Sequence, residues 1–583
     1  MKSKWKRTMR RKMAIAGSLG LMAGLCVPLA MAQIAPPASV ETTQLATDAF
    51  AIGGLDAGET ALPNTLWEKS DPQTLDFLLS YAPSRPASPS LGQALRRTLL
   101  SPGAKPAGAG ASLGGKKLLA LARAGFINEA QTVASLATSG KNDLFVAEAE
   151  ATLSLLDGDA DGACRRGAGL TSGREVIFWV RLRAFCYARA GELDAFDLTM
   201  NLLRERGAIS SAEEALFLSA ATRVPPKAIP PISTALQYAA LKAIGADLNP
   251  ALLSQADGGV LAAFSADLNA NPALRIEAAE QAIALGVKEA SSLKGLFTSQ
   301  QFEVADLASV MDQAAAHPAD PLIDAMLYQS ITEMTAPEFI RDKAQRISFA
   351  LSRADSFSRA YALSHLYAEE ISSLEGVLVS PEEAEHFALA AMATGDSVGA
   401  GRWLTAMIGA NESVAALPEK LGVAFIDRVN LLALLDPQTA SRIARSAGVS
   451  LLADDAGFGP AQHAHEDPAV TARILEAAFD AVADGKSGQA GLAALAASSG
   501  GGANGGEVES VIVSEGLRAA GMPELSRRNR FEQAWAASFS QHAETPSLGG
   551  AASGGSVEAM PAAASSASQT EGGITPRIKP RGQ

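Results

Sequence analysis

Three glycines set 33 residues apart constrain this chain more than any other feature of its 583 residues. Gly125-Phe-Ile-Asn-Glu-Ala130, Gly158-Asp-Ala-Asp-Gly-Ala163 and Gly191-Glu-Leu-Asp-Ala195-Phe196 each follow one apolar helical stretch and open another. A fixed period of this length predicts stacked helical hairpins. The glycine ends the first helix, because it enters the left-handed conformation without a Cβ penalty. The small residue after it lies one turn into the second helix and lets the pair approach closely. Ala151 and Ala184 stand seven residues before their glycines, where the first unit has Leu118. Phe145, Phe178, Trp179, Phe185 and Tyr187 supply the bulk.

The stretch Ala122-Arg-Ala-Gly125-Phe-Ile-Asn-Glu-Ala130 resembles the second half of a tetratricopeptide repeat, with its turn glycine, four residues and then a small residue. Tyr187, four before Gly191, falls where that family favours an aromatic. A fourth match runs from Ala393-Thr-Gly395 to Ala400-Gly-Arg-Trp403, with Phe387 and Ala388 before it. The chain departs from the family in a period one residue short, in Phe196 at a small-residue position and in lacking the late proline. The resemblance implies an all-α fold, a right-handed-type α-solenoid whose concave surface grips a protein or peptide. By register, the first helices line that surface. Phe145 and Glu148 from one unit, and Phe178, Arg181 and Phe185 from the next, are its candidate partner-binding residues.

The N-terminus has the layout of an export leader. Lys2, Lys4, Lys6, Arg7, Arg10, Arg11 and Lys12 precede an uncharged apolar run, Met13 to Leu29, and the small-residue site Ala30-Met31-Ala32. Residues 1–32 are therefore expected to be removed after Ala32, in a protein destined for the periplasm. No later stretch is apolar enough for a membrane span. The whole chain carries 49 basic and 62 acidic residues. Without the seven basic residues of the leader, 42 face 62, a formal balance of −20. Such a charge disfavours nucleic acid as a partner. Two cysteines remain, Cys164 and Cys186. An even pair in an oxidising compartment reads as a disulfide, and the register sets both at similar heights on neighbouring helices.

The rest of the chain reads as helix after helix between short polar turns, without sustained strand alternation. Residues 33–115 form a loose lead, two helices and a linker rich in Gly and Pro. Residues 116–224 hold the repeats, ended by Pro225-Pro226 and Pro230-Pro231. Residues 225–485 form a second helical-repeat region. A Gly/Ser linker is expected over 486–506, and two terminal helices over 507–543, with Trp535 and Phe539 docking on the solenoid. The small, polar tail 544–583 is expected to be disordered.

The sequence carries few catalytic signatures. There is no phosphate loop, no His-Glu-x-x-His and no Cys-x-x-Cys. The catalytic elements of soluble lytic transglycosylases do not follow Gly485. His463, His465 and Glu466, near Asp454 and Asp455, read as a solvated loop rather than a zinc site. Glu382, Glu383, Glu385 and His386 read as first-turn charges complementing the helix dipole. No cofactor and no metal are called for. The leading expectation is a non-enzymatic scaffold or binding protein of the cell envelope. The alternatives are a cell-wall or glycan hydrolase with an unrecognised carboxylate site, and a structural envelope protein. Burial-perturbed carboxylates clustered in a deep cleft would favour the hydrolase, and a smooth groove would favour the scaffold.

Overall fold

In the computed structural model, residues 47–245, 250–409, 413–451, 467–498 and 507–544 are described. They contain 27 α-helices and no strand. The all-α expectation therefore holds. The helix starts follow from local chemistry. Asp71 accepts the Thr74 N–H at 2.7 Å, ahead of Pro72 at the first helical position. Ser380 and Glu383 close a reciprocal capping box ahead of the helix Pro381–Thr394.

The three predicted hairpins are present. They pair Ser112–Ala124 with Ile127–Leu136, Leu144–Leu156 with Ala160–Ala168, and Ile177–Ala190 with Leu193–Glu205. Gly125, Gly158 and Gly191 all take left-handed φ values, 105°, 84° and 76°. Ala130 and Ala163 are buried at the hairpin contacts, as is Phe196 in the third unit. The fourth match also forms a hairpin, Pro381–Thr394 with Ser397–Ile408, turned by Gly395 at φ 82°.

What the chain does after the proline pairs differs from expectation. Leu144–Leu156 packs along Ser112–Ala124, and Ile177–Ala190 along the helix Ser211–Thr222. The chain then turns back over these first helices. Helix Ala235–Ile244 crosses Leu144–Leu156, Ile177–Ala190 and Ser211–Thr222, while Gly258–Ala266 crosses Ser112–Ala124 and Leu144–Leu156. One apolar core accordingly joins Ala151 and Phe185 to Leu236, Phe264 and Leu285. The domain boundary expected at 225 is thus a turn inside a shared core. Prolines stop a helix, but they do not decide what the next helix packs against.

The expected linkers are corrected in the same way. Ser487–Ala497, inside the stretch read as a Gly/Ser linker, is a helix whose residues from Gly488 onward are all buried. It is held by the helices Pro468–Ala483 and Glu507–Ala519 and by Pro72–Ser80 and Pro89–Leu100. Its small residues serve close packing: a Cβ on Gly488 would lie 2.5 Å from Trp67 Cε3, and one on Gly491 2.8 Å from Ala520 Cβ. Gly114 and Gly115, read as the end of a linker, start the helix Ser112–Ala124, where a Cβ on Gly115 would meet the Val146 nitrogen at 2.6 Å. The expected loose lead is tied down from residue 47 onward. Phe50, Leu62 and Trp67 are buried. Lys117 Nζ donates to the carbonyls of Phe50 at 2.9 Å and Ile52 at 2.7 Å.

The last helix, Pro523–Glu544, docks as expected through Trp535, which meets Phe357 edge-on at 5.4 Å. It also reaches the N-terminal part of the chain. The Glu532 carboxylate accepts the Ser90 N–H at 2.9 Å and its hydroxyl at 2.8 Å. The Ser88 hydroxyl donates to Asn529 Oδ1 at 2.8 Å. A carboxylate 442 residues downstream thus satisfies the free amide at the start of Pro89–Leu100.

Candidate functional site

The scaffold of the site is the second and third hairpins. Cys164 and Cys186 are disulfide-bonded, with Cα atoms 5.8 Å apart, as their register predicts. The bridge joins Ala160–Ala168 to Ile177–Ala190 and fixes the two hairpins to each other.

Glu148 and Arg181 hold the same repeat position, 33 residues apart, and so do Phe145 and Phe178. The structure divides the five predicted groove residues into two sets. Phe185 is 0% exposed and packs against Phe217. It belongs to the core and offers no surface to a partner. Phe145 turns to the N-terminal core, with Lys116 Nζ 5.0 Å from its ring centroid. Glu148, Phe178 and Arg181 instead converge on one cavity of about 130 Å³.

This cavity exists because Ala235–Ile244 and the segment before Gly258–Ala266 cover the first helices without sealing them. Arg123, Glu213 and Asp257 complete its charged lining. Leu156, Leu236 and Val260 add apolar wall beside the Phe178 ring. The charges are unevenly matched. Arg181 Nε donates to the Ala208 carbonyl at 2.7 Å and stands 3.6 Å from Glu213 Oε2. The Ser84 hydroxyl donates to Asp257 Oδ1 at 2.6 Å. Arg123 and Glu148 make no hydrogen bond and no ion pair among the described residues, and only long-range attraction links them. Burial pushes the carboxyls of Glu148, Glu213 and Asp257 above their usual range; Arg123 opposes this at Glu148, Arg181 at Glu213, and the Ser84 hydroxyl with both Arg123 and Arg85 at Asp257.

Sequence reasoning missed Arg123, Glu213 and Asp257. Arg123 stands two before a turn glycine, as Arg189 does, and that register was available. Glu213 looks like an ordinary first-turn acid, and its capping serine, Ser210, supports that reading. Asp257 carries no repeat signal, because it arrives from beyond the proline pairs.

The other candidates are structural. Glu383 pairs with Arg341 and caps its own helix. Glu385 lies 3.0 Å from Arg428, and His386 Nδ1 lies 2.8 Å from the Ser348 hydroxyl. Of the polar run His463 to Asp467, the first four residues lie outside the described residues, and Asp467 caps Pro468–Ala483. Residues 1–32, read as an export leader, and residues 545–583 of the expected tail also lie outside them. A second hollow of about 290 Å³, beside Trp403 and the exposed Leu378, is larger, but its charges are already engaged, Glu375 with Arg402 and Asp396 as the cap of Ser397–Ile408. Among the described residues no helix is long and apolar enough to cross a membrane. Comparisons with protein-family models, with curated proteins and with solved structures find no match for this chain.

Proposed function

We propose that this chain is a non-enzymatic binding protein of the bacterial cell envelope, exported to the periplasm, and that its hairpins are of the tetratricopeptide type. One observation carries the reading. Residues at equivalent positions of successive hairpins, Glu148 and Arg181, converge with Phe178 on a single cavity rather than scattering over the surface. An aromatic ring, apolar walls and charges of both signs suit the anchoring of a protein or peptide partner. The disulfide supports an oxidising compartment.

A hydrolase is the second reading, and the clustered carboxylates raised by burial favour it. The cavity of about 130 Å³ speaks against it, because sites that enclose a whole drug-sized ligand run to roughly 300–1,000 Å³. In-cell crosslinking separates the two readings, comparing the parent with a variant carrying Phe178→Ala and Arg181→Ala. A discrete envelope partner, captured by the parent, lost with the variant and rebinding when purified, supports the binding protein. Cleavage of peptidoglycan or glycan by the parent but not by Glu148→Gln supports the hydrolase instead.

A further inference from the structure

Arg123 and Glu148 are the two charges of the cavity that make no hydrogen bond and no ion pair among the described residues. Arg181 is already held by the Ala208 carbonyl and Glu213, and Asp257 by Ser84. The Arg123–Glu148 pair has opposite signs, lines one hollow and does not close on itself. A cation or an anion alone would satisfy one member and repel the other. A molecule carrying both charges a few bonds apart satisfies both at once. Volume sets its size, since a protein cavity of about 150 Å³ takes up benzene, a ligand of six heavy atoms. Phe178, Leu156, Leu236 and Val260 leave an apolar wall for a short side chain.

We propose that this cavity binds a small free zwitterion, an α-amino acid with a short apolar side chain, its carboxylate facing Arg123 and its ammonium facing Glu148. This rests on the reading of the cavity as a binding site and names a free small molecule, in place of a partner's side chain, as its occupant. The ligand gives each of the two charges a hydrogen-bonded partner of opposite sign, which neither has among the described residues.

Isothermal titration of the purified chain with glycine, both enantiomers of alanine, valine and phenylalanine tests this. Alaninamide, which lacks the carboxylate, and N-acetylalanine, which lacks the ammonium, serve as the two discriminating probes. The expected result is binding of alanine or valine, at least tenfold weaker binding of both blocked forms, and no binding of phenylalanine. Arg123→Gln should restore the amide to parity with the free amino acid while weakening the latter at least tenfold. Glu148→Gln should do the same for the acetylated form. Arg123 is exposed, so its variant keeps the parent fold, and an unchanged melting temperature checks this. No heat from any amino acid at about 10 mM, or equal binding of blocked and free forms, overturns the proposal. If that occurs while crosslinking to a partner still depends on Phe178, the ligand assignment fails and the binding reading stands. If both are lost, both fail.

Discussion

Two clusters of charge lie within the helical packing of this protein, and they are built on opposite terms. In the first, Asp324 is completely buried and accepts from Arg359 Nε at 2.7 Å and from Arg353 Nε at 3.2 Å. These side chains come from the helices Pro321–Thr332 and Phe357–Leu366 and from the end of Ile340–Ser352, so the cluster clamps three helices. Glu280 stands nearby, fully buried, with an Oε1 that accepts no hydrogen bond. In the second cluster, around the cavity, Glu148 and the exposed Arg123 make no hydrogen bond and no ion pair among the described residues. The first cluster, the closed one, matches Asp324 to two guanidiniums and leaves Glu280 as a surplus buried acid. The second, open cluster holds charge in readiness for something that arrives later.

The largest expected effect breaks the closed cluster. Asp324→Ala leaves two buried guanidiniums without their carboxylate and should cost about 3–5 kcal/mol in a denaturant titration. A cost under 1 kcal/mol would show that water already reaches the arginines and that the two clusters do not differ in kind. The next effect concerns the frame of the open cluster. Replacing Cys164 and Cys186 with Ser should cost about 2–4 kcal/mol when the parent is oxidised, and nothing when both are measured under reductant. An equal loss under reductant would mean that the cysteines act through packing alone.

Glu280 sharpens the comparison through pH. Burial holds its carboxyl well above the usual value of 4.5, with Asp324 adding repulsion. A raised folded value means that the folded state binds the proton more tightly than the unfolded state does. This contribution is therefore complete below pH 4.5 and is lost as pH rises towards the folded value. Glu280→Gln should remove that dependence and exceed the parent by roughly 1–2 kcal/mol at pH 8, measured as melting temperature against pH. Parallel curves for parent and variant would place Glu280 outside the closed cluster's electrostatics. The smallest effects belong to the cavity. Arg123→Gln and Glu148→Gln should each stay within about 0.5 kcal/mol of the parent, with Glu148→Gln on the stabilising side, since it too is raised by burial. A loss of 2 kcal/mol from either would show that the open charges support the fold after all.

The site was half legible before its shape was known. The 33-residue register picked out Glu148, Phe178 and Arg181 because equivalent positions on successive hairpins share a face. The same register selected Phe185, which is buried in the core, and Phe145, which does not line the cavity. It reports which side of a helix a residue is on, and it cannot say whether that side meets solvent or another helix. Arg123 was within reach of the register, whereas Asp257 was not, since the cavity is closed by helices outside the repeats.

Local chemistry was determined by the sequence alone: the all-α class, the left-handed glycines, the capping serines and aspartates, and the pairing of Cys164 with Cys186. Each of these depends on residues within a turn, or within one repeat, of each other. Only the tertiary structure decided that Ala235–Ile244 covers the first helices, that Ser487–Ala497 is a buried helix rather than a linker, and that Glu532 caps the helix begun at Pro89. Apolar and small-residue faces look alike in a sequence, because hydrophobic burial is non-directional. Which face meets which is settled by shape and by the few polar groups that must find partners across hundreds of residues.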